Sequence, residues 1–470
     1  MSFLTRRKPL EFGAPEGANN LKKTLGWPHL IALGVGAIIG TGIYTLTGVA
    51  AGLAGPAVIL SFAVAGVICA GAALCYAEMA SLTPQAGSAY TYAYVTLGEA
   101  LAWIVGVGLI LEYTLVCSAV SVGWSGYASG LLRGWGAPET ILNGGVVDFP
   151  AIFIALVVTG VLLLGTRESA TINFVLVCIK LIALAAFVAF TLPHFDAANF
   201  QPFAPFGFGA HEIAGGDAGK KYGMMGAAAI IFFAFYGFDA ISTAAEEAKN
   251  PKRDLTIGIV GSMALCTVIY MVIAACALGV VPFGPFSKSP EPLAYALKQL
   301  GQPGPARIIA GAAVLCMPTV IMVFMFGQSR VFFAMARDGL LPRALAGVDR
   351  RGVPMAVTLL TGVVAAIFAG LVPLDEIASL ANAGTLAAFI AVACAVMVLR
   401  VRSPAVERPF VTPLVWLVAP ATIAGCLYLF TSLQTKTMLF FLGANAIGAV
   451  VYLFYGRVKS RLAGSETAVS

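Results

Sequence analysis

Two short runs of this chain place glycine and polar residues where an apolar helix should carry neither. Residues 34–44 read GVGAIIGTGIY, so Gly34, Gly36, Gly40, Gly42 and Thr41 fall inside an apolar stretch. Residues 231–247 read IFFAFYGFDAISTAAEE, with Gly237 in mid-stretch and Asp239 opening a polar run. Glycine costs a helix about 1 kcal/mol relative to alanine, and an unpaired backbone group in lipid costs more still. A helix interrupted here must be shielded by protein or must line a cavity. Taken singly, either run could instead serve close helix packing through small residues. Half-helices that end in mid-membrane offer N-terminal amides to anions and C-terminal carbonyls to cations. A zwitterion of the α-amino-acid type satisfies both ends at once. Its carboxylate would meet the amides of Thr41 and Gly42. Its ammonium would meet carbonyls around Ile38, Phe233, Ala234 and Tyr236. Glycine at the first break permits close backbone approach, and Phe233, Phe235 and Tyr236 supply apolar walls.

Ionisable residues inside apolar stretches are functional candidates by default. Lys180 lies in the middle of FVLVCIKLIAL, residues 174–184, too deep to reach either surface easily. Desolvation penalises the charged form of a buried ammonium, which makes Lys180 a candidate proton carrier; the bland alternative is a fixed cation held by a carboxylate or carbonyls. Glu112, in LILEYT at 109–114, is expected first to brace or pair helices, with recognition of a cationic side chain or proton relay as the other roles. Asp239 is a candidate cap for the second half of its interrupted stretch, where an acid is favoured, with substrate contact as the alternative. Glu78 and Glu246 fall near stretch ends and are read as interfacial or structural, as are Trp27 and Trp135.

Other chemistries find no support. The nine cysteines all fall in apolar stretches without a CxxC pair and read as small buried hydrophobes. His29, His194 and His211 form no ligand-spaced cluster, so no metal is expected. P-loop, GxSxG and HExxH motifs are missing, which argues against direct ATP drive and against an enzyme.

These residues need a membrane around them. Of 470 residues, 59% are hydrophobic and 11% charged, against about 25% charged in soluble proteins. Twelve apolar stretches of spanning length follow one another, at about 28–52, 57–81, 100–130, 149–165, 170–192, 222–246, 255–281, 307–335, 355–372, 375–399, 412–431 and 436–456. With the N-terminus in the cytoplasm, the inside segments hold 20 of the 28 Lys and Arg residues. The positive-inside rule therefore places both termini in the cytoplasm. The net charge of +6 follows from this bias, and no nucleic-acid partner is implied. The interrupted stretches are the first and the sixth. Two halves of five spans each put them in matching positions, with the second half inverted. Paired interruptions of this kind point to a transporter binding site.

The motifs resemble the amino acid–polyamine–organocation superfamily, in particular its bacterial permeases similar to cationic amino acid transporters. GVGAIIGTGIY at 34–44, FFAFYGFDAISTAAEEAKNPKRDL at 232–255, FGQSRVFFAMARDGLLP at 326–342 and RPFVTPLVWLVAP at 408–420 carry the resemblance, which covers residues 20–456. It implies an all-α integral membrane protein of the LeuT-type fold, with two inverted five-helix repeats plus two C-terminal helices. The expected organisation is a cytoplasmic segment 1–25, a first repeat 26–193, an extracellular loop 194–221, a second repeat 222–400, helices 11 and 12 at 401–456 and a cytoplasmic tail 457–470. By position, the resemblance implies a carboxylate site at Gly40, Thr41 and Gly42 and an ammonium site at Ile38, Phe233, Ala234 and Tyr236. Lys180 matches a lysine of proton-coupled members that replaces a sodium ion, beside carbonyls matching Gly36 and Ile39 and a hydroxyl matching Thr319. Pro318 and Thr256 depart from the family pattern; the first bears on Thr319, the second on a helix start. The reading is import of L-amino acids across the plasma membrane by proton symport and alternating access, with the proton as coupling ion, no other cofactor, and lipid as surroundings. Exchange, polyamine or organocation transport and a non-transporting receptor are the alternatives, and a small membrane accessory subunit is not readable.

Overall fold

The computed structural model describes residues 6–9, 25–134, 136, 147–164, 167–213, 219–347 and 354–463. Trp135, Lys22, Lys23, Arg350, Arg351 and the side chain of Glu246 lie outside the described set. Among the described residues the regular elements are helical, with two isolated bridges, Leu25 to Ala248 and His211 to Tyr222. Among the described residues, eight helical stretches are long and apolar enough to cross a membrane, and three shorter apolar helices accompany them. The chain is an integral membrane protein. The first of the eight, Trp27–Leu82, holds 56 residues and turns at Gly55, whose φ of 63° is open to glycine at little cost.

Helix boundaries follow local chemistry. α1 (Trp27–Ile38) has proline in its first turn, runs through Gly34 and Gly36 and stops just before Gly40. A π-helical turn, Gly42–Leu46, leads into α2 (Thr47–Ala54). After α3 (Val58–Leu82), α4 (Ala89–Thr96), α5 (Glu99–Gly134), α6 (Phe149–Leu164) and α7 (Arg167–Thr191), the sixth span opens with α8 (Met224–Ile231) and continues as two 3-10 segments. α9 (Pro251–Val280) runs unbroken through Thr256, so this departure from the family pattern leaves the helix intact. α10 (Pro292–Gln299), α11 (Pro303–Cys316), α12 (Pro318–Arg337) and α13 (Met355–Leu371) follow. α14 (Leu374–Arg402) has Asp375 and Glu376 in its first turn and two arginines in its last, as the helix dipole favours. α15 (Val415–Thr431) and α16 (Thr435–Val451) complete the bundle.

The halves interleave. α3 packs on α9, α5 on α12 and α6 on α13, while α1 touches the second half of the interrupted sixth span. The core between them is dense with small residues and buried tyrosines. One end of the bundle gathers Leu25 against Ala248, Lys8 against Asp338 at 2.9 Å and Arg6 against the Arg457 carbonyl. The other gathers Lys220 with Asp375, Lys436 with Glu376 and Lys298 with Glu291. The segments assigned by charge to the same side thus meet at the same end. Cys178 is exposed and Cys394 half-buried, contrary to the expectation that all nine thiols are buried; both helices present those faces to the outside of the bundle.

Glu78, read from sequence as structural, is the anchor of the end that holds the basic segments. It is 1% exposed, takes two hydrogen bonds of 2.8 Å from Arg400, one from the Thr412 amide and an ion pair from Arg408 at 3.2 Å. Removing one partner of a buried pair strands the other charge, at about 3–5 kcal/mol. Glu78→Ala is therefore expected to lower the melting temperature of the detergent-solubilised protein well below that of Glu78→Gln. Equal melting of Glu78→Ala and wild type would show that the cluster is not stabilising.

Candidate functional site

The two interrupted spans meet in the middle of the bundle. In the first, α1 ends at Ile38, Ile39 is extended (φ −77°, ψ 99°) and the chain turns through Gly40 into the segment headed by Thr41 and Gly42. That segment begins a new helix, whose first amides have no intrahelical acceptors. In the second, the 3-10 turn Phe232–Phe235 ends at an extended Tyr236, and Gly237 takes φ 116°, a conformation side chains resist.

The breaks interlock. A Cβ on Gly42 would lie 2.4 Å from the Cα of Ala234, and one on Gly237 would lie 2.4 Å from the Cβ of Ala37. Each glycine seats the alanine of the opposite span. Gly40 lies against Val320 and Gly123 of α5 against Thr41 in the same way. The structure thus brings Ile38, Gly40, Thr41, Gly42, Phe233, Ala234 and Tyr236 to one place, all buried. Thr41 Oγ1 and the Tyr44 hydroxyl, both buried there, have no hydrogen-bond partner.

Lys180 of α7 holds the end of α1. It is fully buried, and its Nζ donates to the Gly36 carbonyl (3.0 Å), the Ile39 carbonyl (2.5 Å) and Thr319 Oγ1 (3.1 Å). Three donors meet three neutral oxygens, the full capacity of an ammonium. Thr319 completes the set although proline precedes it: Pro318 sits in the first turn of α12, where a missing N–H does no harm.

Three expectations change. Asp239 does not cap the amides that follow it. Its carboxylate accepts from the Gly237 amide at 3.1 Å and from the Tyr113 hydroxyl at 2.9 Å, so it fastens the turn and ties it to α5. Glu112 does not brace helices by hydrogen bonding. It is fully buried, packed against Gly384 of α14, and neither carboxylate oxygen has a hydrogen-bond partner. The Ile38 carbonyl, one of the ammonium acceptors read from sequence, already accepts from the Tyr270 hydroxyl at 2.5 Å, which leaves it one lone pair.

Tyr270 and Asn382 are the residues missed from the sequence. Asn382 of α14 accepts from the Tyr236 hydroxyl and donates to the Ala229 carbonyl at 2.6 Å. It ties Tyr236, at the second break, back to α8. A lone amide inside an apolar stretch was the available signal.

A family model described as amino acid permease matches residues 25–455. The chain belongs to the amino acid permease family. It is 43% identical to the branched-chain amino acid permease BcaP of Bacillus subtilis, across 97% of this chain and 98% of the relative. It is 40% identical to the methylthioribose transporter of the same organism, across 98% and 100%. Human cationic amino acid transporter 4 is 37% identical across 84% of this chain and 62% of its own length. The paired breaks at 34–44 and 232–255 thus lie within a permease matched nearly end to end.

Gly42→Val is expected to abolish ligand binding by the permease, because the added side chain must displace the Ala234 backbone and cover the amides at 41–42. Binding of radiolabelled amino acid to purified protein checks this, with the melting temperature as control. A folded variant with wild-type affinity would remove the first break from the site.

Proposed function

We propose that the permease imports L-amino acids across the plasma membrane by alternating access, driven by proton symport, with both termini in the cytoplasm. The interlocked breaks carry this reading. They bring helix-start amides at Gly40, Thr41 and Gly42 within a short reach of carbonyls at Ile38, Phe233, Ala234 and Tyr236, charges of opposite sign suited to a zwitterion. Pairing of α3 with α9, α5 with α12 and α6 with α13, each five spans apart in sequence order, supports the LeuT-type arrangement of two inverted repeats plus two helices. The basic residues clustered at one end support its cytoplasmic placement. The family relationship supports transport without a chemical step.

Lys180 is the proton carrier in this reading. Protonated, it pins the Gly36 and Ile39 carbonyls to α7 and α12 and fixes the first break. Loss of the proton removes a donor and loosens that junction, so proton and break conformation are linked. Lys180→Ala is expected to abolish accumulation of amino acid under an imposed pH gradient in proteoliposomes while exchange of labelled for unlabelled amino acid persists. Gradient-driven uptake at the wild-type rate in that variant would assign coupling elsewhere.

The zwitterion clamp is tested by competition. A favoured amino acid should outcompete its methyl ester and its deaminated acid, since each lost end leaves buried backbone groups unpaired at about 1–3 kcal/mol, or about tenfold or more in affinity. The similarity to a methylthioribose transporter gives the second reading, a carrier of a neutral thiosugar. Competition by methylthioribose equal to that of the best amino acid would favour it. Glu112 belongs to the substrate wall in the first reading, and comparison of arginine with leucine as competitors reports whether it selects a cationic side chain.

A further inference from the structure

At the basic end of the bundle several cations have an acid partner. Lys8 pairs with Asp338, Arg330 with Glu247, and Arg400 and Arg408 with Glu78. Arg7 and Arg402 differ. Both are exposed, and among the described residues no acid pairs with either.

The two arginines are also neighbours. Residues 6–8 lie along the corner between α4 and α5, where the Lys8 amide donates to the Tyr94 carbonyl at 3.3 Å and the Glu99 amide to the Arg6 carbonyl at 2.9 Å. Arg402, at the end of α14, donates to the Thr96 carbonyl in the same corner at 3.2 Å. Lys8 reaches Asp338 and Arg6 reaches the Arg457 carbonyl, while Arg7 between them stays exposed. Partial burial and the nearby Arg402 charge both lower the Arg7 guanidinium from its ordinary pKa. Two like charges here push residues 6–8 away from the corner, and an anion seated between them reverses that force.

The place selects the anion. α14 is long and apolar enough to cross the membrane and ends at Arg402, beside a Val401 that is 68% exposed. The Thr412 carbonyl accepts from Arg400, and Val411, Leu414 and Trp416 next to Thr412 are exposed. The arginines therefore stand where an apolar helix leaves the bilayer, with uncovered apolar surface close by. A phosphate suits the guanidinium fork, and acyl chains suit the apolar surface. We propose that Arg7 and Arg402 form a binding site for the phosphate of an anionic phospholipid, which fastens residues 6–8 to the α4–α5 corner.

The test has two readouts on the full-length permease. Native mass spectrometry of the detergent-solubilised protein measures retention of phosphatidylglycerol in competition with phosphatidylcholine. Hydrogen exchange in nanodiscs follows the amides of Lys8 and Glu99 with and without phosphatidylglycerol. In the wild type phosphatidylglycerol should be retained selectively and should slow both amides. Arg7→Ala and Arg402→Ala should each weaken retention about fivefold, the equivalent of about 1 kcal/mol per arginine at a lipid surface, and should abolish the lipid dependence of exchange. Arg402→Ala also loses the bond to Thr96, so Arg7→Ala, whose side chain has no hydrogen bond to lose among the described residues, carries the decision. Arg253→Ala, which removes an exposed charge from the same end, should change neither readout. Melting temperatures establish that the variants are folded. Equal weakening by Arg7→Ala and Arg253→Ala is the result for bulk attraction of lipid to a basic face, and it overturns the proposal. So does wild-type exchange that is indifferent to phosphatidylglycerol. Inorganic phosphate added to phosphatidylcholine nanodiscs is the last arm: protection equal to that from phosphatidylglycerol would assign the arginine pair to a soluble anion and overturn the lipid site.

Discussion

The breaks exist because backbone groups exposed within an apolar bundle must be satisfied by protein. α1 stops in mid-bundle and leaves carbonyls at Gly36, Ile38 and Ile39 without helical donors. Lys180 and Tyr270 supply those donors from α7 and α9. The geometry of the first break is therefore set by side chains from elsewhere in the fold, and the site cannot be separated from the helices that surround it. At the second break the same constraint is met by Asp239, which takes the Gly237 amide, and by Asn382, which donates to the Ala229 carbonyl.

Much of this was legible because the offending residues contrast with their surroundings. Glycine at 40, 42 and 237, and a lysine at 180, are conspicuous in apolar sequence, and each lies at the paired helix breaks. Thr319 was reached only through the family resemblance. Tyr270 and Asn382 escaped notice because their importance depends on which carbonyl they face, a matter of helix rotation that no local pattern encodes. Asp239 lies at the break that the sequence marks but fastens the turn instead of capping the next segment, because the two roles differ only in which direction the carboxylate points. Glu112 illustrates the opposite limit: its burial was expected from its span, yet its lack of hydrogen-bond partners follows from how α5 meets α14 at Gly384.

The fold itself was the more predictable part. Hydropathy and charge placed the helical stretches to within a few residues, because lipid penalises any other backbone arrangement. The exceptions are informative. The second half of the sixth span winds as a 3-10 helix over Ala240–Glu247, a tighter turn that composition does not announce.

The reciprocal seating of Gly42 on Ala234 and of Gly237 on Ala37 makes four positions interdependent. Neither glycine can gain a carbon, and neither alanine has room to grow, unless the opposite span withdraws. A change at one of these positions is tolerable only together with a change at its mate. Among homologous sequences such sites should drift as matched pairs rather than independently, and a pair that departs together would mark a lineage whose central cleft has a different width.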